Sequence, residues 1–255
     1  MNKEETKQLL ESKYQEYCNY SFFVETDPIQ IPKQYRKKED IEISAFLSAS
    51  LAWGQRKTII NKSKELLSRM DNAPHDFIIG ASEKEIQHLD GFKHRTLNDY
   101  DIKYFIRSLS NIYRNHGGLE AVFNQAWENS NHDMIKTLTE WHHIFVQEKG
   151  ESRVLRHIAN VNKGSAAKRV NMFLRWMVRT DREGVDFGLW KNISSSSLLI
   201  PLDVHVANTS RELGLLTRTQ NDIKAVFELT ERLCEFDPND PIKYDFALFG
   251  IGAFK

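Results

Sequence analysis

The sequence predicts an all-α protein, and three observations carry that prediction. Apolar residues recur at helical spacing through most of the 255 residues. No series of short, alternating β-branched runs is present from which a sheet would be built. The interruptions between periodic segments hold Gly, Pro, Asn and Asp, the residues that end helices and shape turns.

Taken in order, a first helix is expected over residues 4–20. Asp27-Pro-Ile-Gln-Ile-Pro32 then breaks the chain, because each proline lacks an amide donor and biases its predecessor away from helix. Ile41 to Ala52 is apolar nearly all round, as a helix surrounded by core must be, and it closes at Trp53-Gly54. Gln55-Arg56-Lys57 opens an amphipathic run to Met70, followed by a loop at Asn72-Ala-Pro-His75. Further helices are expected at 82–89, 99–115, 118–129 and 132–148, the last two parted by a polar Asn-Ser-Asn-His joint. Residues 152–160 and 166–179 form two helices joined by Val161-Asn-Lys-Gly-Ser165. In the second, Val170, Phe173, Leu174 and Met177 fall at i, i+3, i+4 and i+7 and face the core, which leaves Lys168, Arg175 and Arg179 on another face. Asp181 to Ser197 is a packed connector anchored by Phe187, Leu189 and Trp190. The chain closes with helices at 204–213, from about 219 to 234, and from near Ile242, after the turn Asp237-Pro-Asn-Asp-Pro241.

With 40% apolar and 11% aromatic residues the chain can bury a sizeable core. No stretch approaches the roughly 20 uncharged apolar residues of a membrane span, so a cytoplasmic protein without a membrane partner is expected. Cys18 and Cys234 lack any Cys-x-x-Cys spacing and argue for neither a disulfide framework nor a thiolate metal site. Net charge is zero, but it is unevenly spread: from Lys149 to Arg182 there are nine basic residues and two acidic ones. A phosphate-backbone footprint has this composition, and so does a solvated helix face.

Two residues stand out as carriers of chemistry. Asp203 lies between a proline and the first turn of a helix, in Ile200-Pro-Leu-Asp-Val-His205. Asp is a favoured N-cap there, and a capping carboxylate stays ionised and can also face a developing cation. Lys168 lies in the basic helix expected over 166–179. Its amine is a nucleophile only after losing its proton, which desolvation or the neighbouring Arg169, Arg175 and Arg179 would assist. Lys163, in the loop itself, competes with it. His205 beside Asp203 is a cap-region hydrogen-bonding residue. None of the nine histidines has a partner at metal-ligand spacing, and no Gly-rich phosphate loop or Gly-x-Ser-x-Gly elbow occurs, so no metal or cofactor is expected.

Gly164-Ser-Ala-Ala-Lys168 followed by Pro201-Leu-Asp203-Val-His205-Val resembles the helix-hairpin-helix DNA glycosylase superfamily, nearest to the 8-oxoguanine DNA glycosylases. There a Gly-x-Gly hairpin leads into a helix bearing the catalytic lysine, and a Pro-Val-Asp-x-His-like segment carries the essential aspartate. The hairpin here lacks the second glycine, 35 positions separate Lys168 from Asp203, and no cysteines for an iron–sulfur cluster follow. The likeness spans roughly residues 40–255. The chain is also similar to a bacterial family of unassigned function that shares the segments 168–177 and 244–250.

The resemblance implies a bilobal helix-hairpin-helix fold forming one compact unit over 1–255. A central bundle at 45–190 would contain the hairpin at 152–179, with a second lobe from 1–44 and 198–255. It implies a monomeric, nucleoid-associated repair enzyme that extrudes a damaged base from double-stranded DNA. In such an enzyme Lys168 and Asp203 are catalytic, Lys163, Gly164, Ser165, Arg169, Gln55, Arg56 and Lys57 contact DNA, and Trp53 and Phe249 line the base pocket. Two other readings stay open: a non-catalytic nucleic-acid-binding module using the same basic stripe, and a helical protein that meets an acidic partner.

Overall fold

The computed structural model describes residues 1–148 and 150–254. Lys149, counted above in the basic segment, lies outside the described residues. Helices dominate, and the chain divides into two compact units, one built from Met1–Thr26 with Asn160 to the C-terminus and one from Asp27–Ala159. The boundaries therefore fall at 26/27 and 159/160 rather than at 44 and 198. Residues 160–190, expected in the central bundle, belong with the termini.

The terminal unit begins with α1 (Lys3–Tyr17) and the single turn α2 (Tyr20–Phe23). Asn2 opens α1 through a capping box with Glu5, which satisfies two amides that no helical carbonyl can reach.

In the middle unit come α3 (Lys38–Leu51), α4 (Arg56–Ser68), α5 (Pro74–Gly80), α6 (Glu83–Ile86), α7 (Asp99–Asn115), α8 (Leu119–Asn129) and α9 (Met134–Phe145). As its apolar circumference requires, α3 is buried almost throughout from Ile41 to Leu51. Its Phe46 meets Phe145, itself edge-on to Phe105 at 5.2 Å, while Phe123 stacks on Trp141 at 5.6 Å. These rings form the core of the unit. Two features depart from expectation. Pro74 starts a helix instead of lying in a loop, its missing amide being one that the first turn does not need. Between α6 and α7 a small antiparallel pair, β1 (Lys93–His94) and β2 (Leu97–Asn98), is too short to leave an alternating signature.

Residues Ser152–His157 form a 3-10 helix, not the α-helix expected over 152–160. The segment is tied down through side chains: Arg153 and His157 approach buried Asp101, and the Glu151 amide donates to Tyr100 Oη.

The chain then returns to the terminal unit with α10 (Lys168–Val178), α11 (Val204–Glu212), α12 (Ile223–Cys234) and α13 (Tyr244–Ala253). Helix α13 is the pivot, packed by α1 and α11. A Cβ at Gly250 would overlap the Tyr17 ring, and one at Gly252 would come within 2.7 Å of Thr209 Oγ1, so these two glycines permit the close approach. The connector after α10 is packed through Val185, Trp190 and Ile193, which are buried, while the other two expected anchors, Phe187 and Leu189, are half-buried. No helix among the described residues is long and apolar enough to cross a membrane.

Candidate functional site

Three helix beginnings in the terminal unit assemble the site. Ahead of α10, Asn160 accepts the Lys163 amide, and Gly164 takes φ +85°, a left-handed conformation that glycine adopts without a Cβ penalty. The Gly164 carbonyl accepts the Ile223 amide at 3.1 Å, which anchors the hairpin to the start of α12. Ser165 Oγ accepts the Ala167 amide. Ala167, itself left-handed at φ +47°, then turns the chain into α10 so that Lys168 is its first residue, half-buried.

Asp203 is the N-cap of α11, its carboxylate accepting the Val206 amide at 2.9 Å. The helix lies against α13, where His205 Nδ1 donates to the Gly252 carbonyl at 3.1 Å and the imidazole meets Phe249 edge-on at 5.6 Å.

The third beginning supplies a residue that sequence reasoning missed. Asp245, in the first turn of α13, is buried and accepts a hydrogen bond from Arg175 Nη1. Burial pushes its carboxyl up to about 6; the Arg175 guanidinium opposes that shift, the Asp203 carboxylate adds to it and the Lys168 ammonium opposes it. Lys168 and Asp203, 35 positions apart in sequence, thus both act electrostatically on one buried carboxyl. A signal was available in the sequence: Asp245 is the single charge in the otherwise apolar run 244–254.

The other expected site residues divide. Phe249 lies one turn beyond Asp245 on the same face of α13, half-buried. Lys163 is exposed at the hairpin, while Gly164 and Ser165 serve its backbone geometry. Arg169 is half-buried, and desolvation lowers its pKa from the ordinary arginine value. Trp53, Gln55, Arg56 and Lys57 belong to the middle unit, at the start of α4. Gln55 is its N-cap without a side-chain cap bond, Arg56 reaches Asp27 at 4.0 Å, and Lys57 is exposed. Trp53 is a surface residue, 40% exposed.

The basic stripe requires correction. Arg175 and Arg179 do not share a solvent-facing side with Lys168; they are 2% and 1% exposed. Arg175 Nε pairs with Asp186 at 3.2 Å and its Nη1 with Asp245, and the guanidinium lies 4.3 Å from the Phe246 ring centre. Arg179 binds Asp186 at 2.9 Å, Asp240 at 3.0 Å and Tyr14 Oη at 2.6 Å. Charges this deeply buried persist only when paired, and these are. They are therefore no phosphate footprint, and Arg175, neutralised by its carboxylates, supplies little of the positive field expected to ease deprotonation of Lys168. In the same segment Arg153 is committed to Asp101 at 3.0 Å, whereas Arg156, Lys163 and Arg182 stay exposed.

A family model described as "Protein of unknown function (DUF2400)" matches residues 27–254, and the chain belongs to that family. No curated protein and no solved structure matches it significantly.

Proposed function

Taking membership of the DUF2400 family as the premise, we propose that this protein is a DNA base-excision glycosylase with a helix-hairpin-helix glycosylase-like architecture. Its substrate is double-stranded DNA carrying an oxidised purine such as 8-oxoguanine, and it also cleaves the resulting abasic site. The observation that supports the proposal is that Lys168 begins α10 and Asp203 caps α11 in the same compact unit, and both act electrostatically on the buried Asp245 carboxyl in the first turn of α13.

That set suits amine-based chemistry at a sugar carbon. The Lys168 amine, its proton taken by the Asp203 carboxylate, attacks C1′ as the glycosidic bond breaks, and the bond's electron pair leaves with the base. Opening of the C1′–O4′ bond, with O4′ taking up a proton, leaves an imine between Lys168 and the sugar; loss of a C2′ proton to a base then forms the C2′–C3′ double bond as the C3′–O bond breaks and the 3′ phosphate departs with that bond's electron pair. Asp203 also faces the positive charge that develops at C1′. The base must be extruded from the duplex first. The exposed Lys163, with Gly164, Ser165 and Arg169 around the hairpin, is assigned to the phosphates, and Phe249 to the extruded base.

Borohydride trapping on duplexes carrying a panel of lesions tests this. A covalent adduct is expected with the native protein and none with Lys168→Ala; persistence of the adduct in that variant, or no base release from any lesion, overturns the proposal. Asp203→Asn separates chemistry from folding, because asparagine caps helices as well as aspartate. Its melting temperature is expected to stay near native while base release falls by roughly 10²–10⁴.

A further inference from the structure

The chain has five tryptophans, and four of them, Trp127, Trp141, Trp176 and Trp190, are at most 5% exposed. Trp53 alone presents its ring to solvent, at the turn that leads into α4, and the structure holds that ring in a built setting. The Arg95 guanidinium, from the tip of the β1–β2 hairpin, lies 5.3 Å from its ring centre. Arg95 lies against the bare Cα of Gly54, where a Cβ would approach its guanidinium to 3.2 Å, and Gly54 is itself held at φ +107°. The buried His94 imidazole donates from Nε2 to the Trp53 carbonyl at 3.1 Å and so fixes the hairpin to the turn. Desolvation lowers the His94 pKa, which keeps the imidazole neutral at pH 7.

In the sequence, the charge flanking this turn and the hairpin is of one sign, although Arg56 is paired with Asp27 and Lys62 with Glu65. Residues 51–64 contain four cations and no acid, and 91–98 add Lys93 and Arg95, again without an acid. Lys57, Lys93 and Arg95 are exposed. An open aromatic face flanked by cations is the arrangement that binds unpaired nucleobases, the ring stacking on the base and the cations meeting its phosphates. An acidic peptide would satisfy the cations and leave the indole face unused.

We propose that Trp53, Arg95, Lys57 and Lys93 form a stacking platform for an unpaired base of a nucleic-acid strand, with the guanidinium moving from the indole to a phosphate as the base arrives. The platform extends the nucleic-acid reading above but needs neither Lys168 nor base release.

Because Trp53 is the exposed fluorophore, binding reports on itself. Titration of the full chain with a short oligothymidylate at low salt is expected to quench the iodide-accessible fluorescence. By anisotropy of a labelled oligonucleotide, Trp53→Leu and Arg95→Glu are each expected to weaken binding at least tenfold, and Arg95→Glu to flatten the dependence on salt. Both side chains are at the surface, and circular dichroism verifies that the variants fold. Binding without quenching, unchanged affinity in both variants, or equal competition by a polyglutamate peptide without quenching would each overturn the platform. Quenching that survives in Lys168→Ala supports it, and quenching by a protein that releases no base overturns the glycosylase proposal alone.

Discussion

Two cationic regions, alike in sequence, meet opposite ends. Arg175 and Arg179 in α10 are withdrawn from solvent and bound by Asp186, Asp240 and Asp245, whereas Lys57, Lys93 and Arg95 around the start of α4 remain exposed. What distinguishes them is the location of the compensating acids. For α10 these lie up to 70 residues away and are carried in by the connector and the last turns of the chain, as Asp245 is for Arg175. For the surface region the nearest local acids are taken by other groups: Glu65 is occupied by Lys62 and Arg69, Asp90 by Lys103, and Asp99 accepts the Gly91 amide. A local excess of positive charge thus marks either a buried network or a binding surface, and only partners distant in sequence tell which.

The largest effect that would break this comparison is at Arg179. Replacing it by Met leaves the Asp186 and Asp240 carboxylates without their shared cation, and a loss of about 3–5 kcal/mol in urea-unfolding stability is expected. A loss below 1 kcal/mol would mean that the network is not holding the terminal unit.

Asp245 gives a smaller, pH-dependent effect. Its carboxyl is held above the ordinary 3.8, at about 6, so in the folded chain it keeps its proton where the unfolded chain has lost it. The stability this contributes is complete below about pH 4 and is lost as pH rises through about 6. Asp245→Asn has no such titration. Native stability relative to the variant is therefore expected to fall across that window, by up to roughly 1.4 kcal/mol per pH unit. A difference that is flat with pH would place Asp245 outside the buried cluster.

The smallest effect belongs to the surface region: Arg95→Ala is expected to change stability by less than about 0.5 kcal/mol. A thermal melt showing a larger loss would assign Arg95 to the fold and not to a ligand.

Much of the fold was legible because helix formation is decided by local pattern. The expected helix at 99–115 coincides with α7, whose start is marked by the Asn98–Asp101 capping box, and that at 118–129 with α8, which follows Gly118. Where the expectation failed, local pattern was overruled. Residues 152–157 contain no helix breaker, yet a tighter helix results where Arg153 and His157 reach back to Asp101, some 50 residues earlier. Of the candidate site, Asp203 was visible because it sits at a recognisable helix start and Lys168 because it follows a glycine-containing break in a basic segment. Asp245 left only a weak signal, a lone acid in an apolar run, which acquires its meaning from what surrounds it.

By itself the sequence determined the all-α class, the order of the main helices and the two residues on which the proposed chemistry turns, since periodicity, capping and chain breaks act over a few residues. The tertiary structure alone decided that Arg175 and Arg179 belong to the interior, that residues 160–190 belong with the termini, and that Asp245 is buried against Arg175. The physical reason is that desolvating a charge is tolerated only beside its counter-charge, and here chain folding brings the two together from distant positions in the sequence.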